Sequence, residues 1–197
     1  MRVIGGEFRS RRLQTLPGMD TRPTPDKLRE TLFDILGPSV AGSVFVDAYA
    51  GTGAVGIEAL SRGARHAVFI EKDRKAADLI LSNLAALKIE SRARVIKGST
   101  VLFLGELKHA DFVFLDPPYP KEREYQASFD AMEANPPKLA IAQHSVRFPL
   151  ADEYGPLRKT RTLRQGDNVL SFFRPIEPES GPEPESGSVK ESFQSPE

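Results

Sequence analysis

One segment constrains the fold of this chain more than any other, because it runs from an apolar strand through a glycine-rich turn into a helix. The strand Val44–Val46 ends at Asp47, the turn contains Gly51 and Gly53, and a helical pattern covers 54–60. Glycines let the backbone approach a ligand closely and adopt positive φ. The helix N-terminus offers unpaired N–H groups and partial positive charge, which suit an anionic group. The segment therefore predicts one half of a nucleotide-type binding site.

A second acid extends this prediction. Glu71 ends the next apolar run, Ala67–Ile70, about twenty residues beyond the turn. An acid in this place can accept hydrogen bonds from both hydroxyl groups of a ribose. Strand, turn, helix, strand and acid together predict a cofactor that contains a ribonucleoside.

Two cofactors are compatible with the turn. Gly51, Gly53 and Gly56 spell G-x-G-x-x-G, which is also the pattern of NAD-dependent oxidoreductases. Asp47 favours S-adenosylmethionine, because an acid there can meet the amino group of the methionine moiety, whereas a dinucleotide site must seat a pyrophosphate nearby. We interpret the segment as an S-adenosylmethionine site and keep NAD as the alternative.

A second motif indicates the reaction. Asp116, Pro117, Pro118 and Tyr119 follow the apolar strand Phe112–Leu115. An exocyclic amine on a nucleobase is a poor nucleophile, because its lone pair is delocalised into the ring. The Asp116 carboxylate and the rigidly presented Pro117 carbonyl can accept both amine hydrogens and localise that pair. Tyr119 offers a flat face to an unstacked base. The motif predicts in-line methylation of such an amine, with no metal or covalent intermediate.

The rest of the chain alternates strands with helices, which predicts an α/β fold with a mostly parallel sheet covered on both faces. A helix is predicted to begin at Thr24-Pro25 and to stop at Gly37, and another covers 73–87. Two antiparallel strands around 164–168 are predicted to close the sheet. The five parallel strands are predicted at Val44–Asp47, His66–Glu71, Ala93–Lys97, Phe112–Asp116 and Leu139–Gln143.

Charge divides the chain into three regions. Residues 1–23 are predicted to be a basic β-hairpin extension, 24–174 the catalytic domain, and 175–197 a disordered tail. The tail carries a net charge of minus five and the preceding residues plus five, although the 27 basic and 27 acidic residues cancel overall. Basic side chains near the start predict RNA contact through phosphates, or else a solvated hairpin. They are Arg2, Arg9, Arg11, Arg12, Arg22, Lys27 and Arg29.

Composition narrows the class further. The chain has no cysteine and only three scattered histidines, so neither disulfides nor a metal centre is predicted. No run approaches the roughly 18 to 20 apolar residues that span a bilayer. The start also lacks the apolar segment of a signal peptide. A cytoplasmic enzyme is the simplest interpretation.

Three further stretches carry a family resemblance: Arg2–Gly6, Arg22–Phe33 and Glu58–Ala64. With the two motifs, they make the chain similar to the RsmD family, bacterial methyltransferases that act on the N2 amine of a guanine in 16S ribosomal RNA. The resemblance implies a class I, Rossmann-like fold with a seven-stranded sheet. It also implies a protein that uses S-adenosylmethionine, releases S-adenosylhomocysteine and recognises an assembled 30S particle. We expect the protein to be a monomer. The implied cofactor contacts are Asp47, Ala50, Gly51, Gly53, Glu71, Lys72 and Ser99.

Two departures from the family pattern bear on the cofactor site. Related methyltransferases place Asp or Asn near the adenine amino group, where this chain reads Gly98-Ser99-Thr100, so Ser99 is expected to make a weaker contact. The loop reads Ala48-Tyr49-Ala50 in place of Leu-Phe-Ala, and its changed side chains are expected to pack away from the ligand.

The acceptor stays open on the motif alone, because the same loop serves guanine and adenine. Adenine N6 methylation of DNA is the leading alternative, although no domain that would read a DNA sequence is visible. A non-catalytic RNA-binding assembly factor is the second alternative.

Overall fold

The computed structural model of the chain describes residues 1–15, 26–118 and 122–177. Within these ranges, eight strands form one sheet in the order β3-β2-β1-β4-β5-β8-β7-β6. The strands are β1 (Val44–Asp47), β2 (His66–Glu71), β3 (Ala93–Lys97), β4 (Phe112–Leu115), β5 (Leu139–Ser145), β6 (Glu153–Tyr154), β7 (Leu157–Gln165) and β8 (Asn168–Pro175).

The sheet is parallel from β3 to β5 and antiparallel beyond it. Strands β1 to β5 pair in parallel, β8 joins β5 in the antiparallel sense, and β7 and β6 follow. The predicted α/β fold with an antiparallel C-terminal hairpin is confirmed. The strand beyond the expected seven is β6, which has two residues and pairs with β7 at the edge.

Five α-helices in the described residues cover the two faces of the sheet. They are α1 (Asp26–Leu36), α2 (Ala54–Ser61), α3 (Arg74–Leu87), α4 (Thr100–Glu106) and α5 (Glu122–Ala131). The predicted helix end at Gly37 is confirmed, and the predicted start at Thr24-Pro25 lies outside the described residues. The α3 helix begins at an N-cap, Asp73, whose carboxylate accepts a hydrogen bond from the Ala76 N–H at 2.9 Å. No helix in these ranges is long and apolar enough to cross a bilayer.

Alternating strand residues face opposite sides of the sheet, so each face has its own core. On one side, Val46 and Leu115 pack with Leu104 of α4 and Phe129 of α5. On the other side, Phe45 and other strand residues pack against α1 and α2. A third cluster joins α2, α3 and β2. The layers hold the carboxyl ends of β1, β2, β4 and β5 at one edge of a rigid sheet.

The N-terminal segment, predicted as a β-hairpin, folds back on itself as a loop in which Arg2 and Arg12 form an antiparallel bridge. Buried Glu58 of α2 anchors it, because its two carboxylate oxygens accept hydrogen bonds from the N–H groups of Ile4 and Gly5, both at 2.8 Å. The loop is therefore fixed to α2 by backbone groups.

Arg29 takes part in the same anchor, which corrects its prediction as an RNA contact. Its side chain is completely buried, forms an ion pair with Asp26 at 3.0 Å and lies 3.7 Å from the Glu58 carboxylate. Its Nη2 atom donates to the Arg2 carbonyl at 2.7 Å. A guanidinium enclosed in this way does not present a surface to phosphate. Arg22, the predicted domain boundary near residue 23 and residues 178–197 of the tail predicted at 175–197 fall outside the described residues. The first residues of that predicted tail are ordered, because Pro175 ends β8 and the Ile176 N–H donates to the Pro156 carbonyl at 2.8 Å.

Candidate active site

A cavity of about 1000 Å³ opens at the carboxyl ends of the parallel strands. This is the edge at which open α/β sheets bind ligands. The cavity brings together eight of the predicted site residues: Asp47, Ala50, Gly51, Glu71, Lys72, Asp116, Pro117 and Pro118. Tyr119, predicted as the stacking platform, lies outside the described residues.

Asp47 is a buried carboxylic acid at the end of β1, with 2% of its surface exposed. One oxygen, Oδ2, accepts a hydrogen bond from the Gly56 N–H of α2 at 2.9 Å. Burial raises the pKa of Asp47 to about 7; the charge of Glu71 adds to the rise, while the bond from Gly56 opposes it. The side chain thus places a titratable acid between the sheet and the N-terminus of α2.

The Glu71 carboxylate is hydrogen-bonded to the backbone of the glycine turn. Its Oε2 atom accepts a hydrogen bond from the Gly51 N–H at 2.7 Å, and Oε1 accepts one from the Asp73 N–H at 2.8 Å. A carboxylate has about four acceptor positions, so these two bonds leave capacity for the hydroxyl groups of a ligand. Glu71 therefore shapes the loop and lines the cavity at once.

Gly53 and Gly56 serve packing. Gly53 has a φ of 77° and precedes α2, and a Cβ there would lie 3.1 Å from Ile80. A Cβ on Gly56 would lie 2.3 Å from the ring of Phe69, so only glycine fits between α2 and β2. Close helix–strand packing is the role of the third glycine in dinucleotide sites too. The G-x-G-x-x-G spelling therefore does not by itself favour NAD, and Gly53 does not line the cavity.

The second motif lies at the end of β4, beside β1. Asp47 pairs with Phe114 in the sheet, so Asp116 lies two residues beyond that pair. Asp116 is half-buried, Pro117 is buried and Pro118 is exposed. The acid of the glycine turn and the acid of the proline motif thus reach one cavity from neighbouring strands.

The structure gives the surroundings of two side chains near the cofactor loop. Ser99 is exposed and is not among the described residues that line the cavity, whereas its neighbour Thr100 is. Thr100 Oγ1 donates to the Ala48 carbonyl, which turns the residue inward. Tyr49, expected to pack away from the ligand, lines the cavity, and its hydroxyl group hydrogen-bonds Ser128 of α5 at 2.8 Å.

Two residues at the end of β5 were not predicted as site residues. Gln143 and His144 line the cavity, because β5 continues as far as Ser145. The Nε2 atom of His144 lies 2.9 Å from Ser171 Oγ of β8, and burial lowers the pKa of this histidine. The sequence signal was weak, since polar residues at this point read as the end of the strand.

Exposed groups surround the mouth of the cavity. Met1 lines it, which brings the N-terminal loop next to the cofactor turn. Phe148 is 43% exposed and, with the exposed Arg147, also lines the cavity. The other basic residues predicted to contact RNA, apart from Arg22 and Arg29, are exposed: Arg2, Arg9, Arg11, Arg12 and Lys27.

Comparison with known proteins gives a consistent result. Residues 1–174 match the model of a family described as Conserved hypothetical protein 95. The Bacillus subtilis (strain 168) protein YlbH is 36% identical over 184 residues, which cover 88% of this chain and 98% of that protein. Ribosomal RNA small subunit methyltransferase D of Escherichia coli (strain K12) is 42% identical over 121 residues, 60% of each protein.

A solved structure agrees with the fold. The methyltransferase-type protein yhhF from Escherichia coli has a TM-score of 0.79 and 31% sequence identity, over 89% of this chain and 97% of that one. The resemblance to the RsmD family is confirmed. From its site and from these matches, the chain belongs to the family described as Conserved hypothetical protein 95.

Proposed function

We propose that this protein transfers a methyl group from S-adenosylmethionine to the N2 amine of a guanine in 16S ribosomal RNA, within an assembled 30S particle. One observation carries the proposal: a single cavity holds the acids of the glycine turn and the Asp116-Pro117-Pro118 loop. The names of the similar proteins support methyltransferase activity and a ribosomal RNA substrate.

The residues around the glycine turn fit the cofactor. A buried carboxylate such as Asp47 is costly unless it is paired, and the amino group of the methionine moiety would provide the pairing charge. The methionine carboxylate would lie against the turn at the N-terminus of α2. Glu71 would accept the ribose hydroxyls, and Thr100 replaces Ser99 as the candidate near adenine. When bound, S-adenosylmethionine supplies an electrophilic methyl group.

The proline motif would prepare the acceptor amine. In this proposal, the Asp116 carboxylate accepts a hydrogen bond from one N–H of the amine and the Pro117 carbonyl accepts one from the other N–H. The nitrogen lone pair is then localised and directed towards the methyl group of the cofactor. Pro117 is buried and its φ is fixed by the ring, which presents the carbonyl with little freedom. Positioning of this kind supplies much of the rate in a displacement between two bound groups.

The exposed basic residues of the N-terminal loop would bind the RNA backbone. Phosphate contacts by Lys and Arg give affinity without reading sequence. The loop adjoins the cavity through Met1, so a strand bound there would lie beside the reacting base. Phe148 offers an exposed aromatic face at the same mouth, suited to a splayed base. We propose that the protein does this as a cytoplasmic monomer.

The test is transfer of labelled methyl to three acceptors: 30S particles that lack the modification, free 16S RNA and DNA. Nucleoside analysis then identifies the product. We expect N2-methylguanosine from the 30S particles and none with Asp116→Asn. N6-methyladenine in DNA would overturn the substrate. If no acceptor is methylated although calorimetry shows that S-adenosylhomocysteine binds, the result would support the non-catalytic RNA-binding factor. If calorimetry shows that NADH binds and S-adenosylhomocysteine does not, the assignment of the cofactor would be wrong.

A further inference from the structure

Gln143 is a buried polar side chain that the proposed reaction does not use. It is 8% exposed and lines the cavity. Its amide oxygen, Oε1, is buried and has no hydrogen-bond partner among the described residues. Two other buried side-chain atoms in these ranges share that condition, in Arg29 and Gln165, but neither residue lines the cavity.

An unpaired buried amide oxygen is costly for a folded protein. Leaving such a group without a partner costs about 1–3 kcal/mol. Buried polar atoms are nearly always hydrogen-bonded, so an exception on the wall of a cavity points to a partner that arrives with a ligand. Gln143 therefore has the properties of a ligand contact.

The sheet places this amide beside the catalytic motif. Leu115 of β4 pairs with Ala142 of β5, and Asp116 and Gln143 each follow that pair by one residue. Neighbouring strands lie about 4.8 Å apart, and paired residues point to the same side of the sheet. A base whose amine is held by Asp116 would thus present its adjacent edge to Gln143.

The chemistry of the two bases differs along that edge. In guanine the N2 amine is followed by the N1–H donor and then by the O6 acceptor. A primary amide matches the last two groups, because its oxygen accepts from N1–H while its nitrogen donates to O6. Adenine held by its N6 amine presents the N1 acceptor and has no counterpart of O6. It would leave the Gln143 oxygen unpaired.

We propose that Gln143 selects guanine by hydrogen-bonding its N1–H and O6 groups while Asp116 holds the N2 amine. The inference rests on the proposed function, since it assumes that the amine lies at Asp116. A site built to bond a polar group rejects an analogue without it more strongly than an apolar pocket can. Gln143 would thereby supply the choice of base that the proline motif leaves open.

Contacts on both sides and from α5 fix the backbone of Gln143, which limits where its side-chain amide can reach. Gln143 pairs with Leu170 of β8, and it follows Ala142, which pairs with Leu115 of β4. The Tyr125 hydroxyl of α5 donates to the Gln143 backbone carbonyl at 2.5 Å. Burial raises the pKa of Tyr125, which keeps the phenol protonated as a donor. Residues fixed by such contacts support selective recognition.

The test compares two acceptor particles and two enzymes. After the methylated position is mapped, 30S particles are reconstituted with guanine or with 2-aminopurine there; the analogue keeps the 2-amine but lacks N1–H and O6. Gln143→Met removes both hydrogen-bonding groups and conserves volume. We expect it to lower kcat/KM on guanine about 5- to 150-fold, the worth of a good bidentate base contact, and to leave transfer to 2-aminopurine unchanged.

The control is Gln126→Met on the exposed face of α5, which should leave both rates unchanged. Thermal unfolding and S-adenosylhomocysteine binding of Gln143→Met should match the unaltered protein, which separates recognition from folding. Equal loss on both particles, or full activity on guanine, would overturn the role of Gln143. An unaltered enzyme that methylates neither particle would instead contradict the proposed function.

Discussion

The two halves of the cavity are built in different ways. On the cofactor side, the acids are already bonded to the backbone: Asp47 to the Gly56 N–H, and Glu71 to the N–H groups of Gly51 and Asp73. On the acceptor side, Gln143 has a buried oxygen without a partner, and Pro118 is exposed. On the cofactor side each acid already accepts backbone hydrogen bonds and keeps acceptor capacity for a ligand, whereas on the acceptor side the Gln143 oxygen has no partner within the described residues.

The difference follows from what each half is proposed to bind. A small cofactor of constant shape can be met by a preformed loop, and preorganisation lowers the cost of binding it. A base delivered by a large particle brings its own hydrogen-bonding groups, and a polar group held ready for them discriminates between bases. Substitutions in the cofactor half should therefore change cofactor affinity, and substitutions in the acceptor half should change methyl transfer while cofactor affinity stays the same.

The largest effect is expected from Asp116→Ala. Loss of the group that holds the amine should lower turnover about 100- to 1000-fold, as does removal of one preorganised polar group elsewhere. Binding of S-adenosylhomocysteine, measured by calorimetry, should stay within about threefold, well under 1 kcal/mol. An active Asp116→Ala protein would remove this residue from catalysis, and a large loss of cofactor affinity would join the two halves.

Gly56→Ala should act on the cofactor half through packing. The added Cβ would lie 2.3 Å from the Phe69 ring, so the variant should be destabilised by about 1–3 kcal/mol in urea unfolding. Phe69→Leu in the same chain should recover part of the loss. Gly105→Ala in α4 is the matched control, since its nearest neighbour would lie at 3.5 Å and alanine favours a helix by about 0.5–1 kcal/mol. Equal behaviour of the two variants would contradict the close packing.

Cofactor affinity should depend on pH through Asp47. Only the ionised carboxylate can pair with the amino group of the methionine moiety, and the pKa of Asp47 is raised to about 7. S-adenosylhomocysteine should therefore bind about tenfold more weakly for each pH unit below that value. Asp47→Asn should bind weakly at every pH, so a pH profile that survives the substitution would assign the effect to another group.

The stability of the unliganded protein should change in the opposite direction. A folded pKa above the unfolded one means that ionisation of Asp47 is unfavourable in the folded state, so its stabilising contribution is complete below about pH 4 and is lost as the pH rises through about 7. Asp47→Asn keeps an acceptor for Gly56 and should raise Tm at pH 8. A lowered Tm at that pH would show that the charge is paired within the chain.

The smallest effect is expected from Arg11→Ala with Arg12→Ala. Loss of phosphate contacts should lower the slope of log affinity against log salt by about one for each contact, measured with 30S particles. Cofactor affinity should not change. Arg158→Ala, which removes a positive charge near the opposite edge of the sheet, is the control. An equal change in slope for the control would place the RNA contacts elsewhere.

Much of the fold could be predicted because the strands are marked locally. Strands β1, β2 and β3 have the predicted bounds, since each apolar run ends in a polar or glycine-rich turn. The end of β5 could not be read in this way. Its last residues are polar and are held in the sheet by pairing, as His144 with Val169 and Ser145 with Asn168. The two-residue strand β6 likewise depends on β7 and has no pattern of its own.

The site, like the fold, has parts that the sequence marks locally and parts that depend on tertiary contacts. Eight of the predicted site residues reach one cavity, because the two motifs follow the ends of neighbouring parallel strands, and their chemical roles stay predictions. The sequence does not show whether the side chain of Ser99 or that of Thr100 lines the cavity, because a shift of one residue at the start of α4 changes which of the two points inward. Arg29 looks like any surface arginine in the sequence, and only the fold brings Glu58 to it. The position of Gln143 beside Asp116 follows only from the register between β4 and β5, which the sequence does not show.

The position of Met1 has a practical consequence for recombinant work. Its side chain lines the cavity beside the cofactor turn, and the backbone that follows is bound to Glu58. A purification tag fused ahead of Met1 would place its linker at the mouth of the site, where it would compete with ligands. A tag at the C-terminal end, or removal of the N-terminal tag before assay, avoids an effect of the tag on the measured affinity and activity.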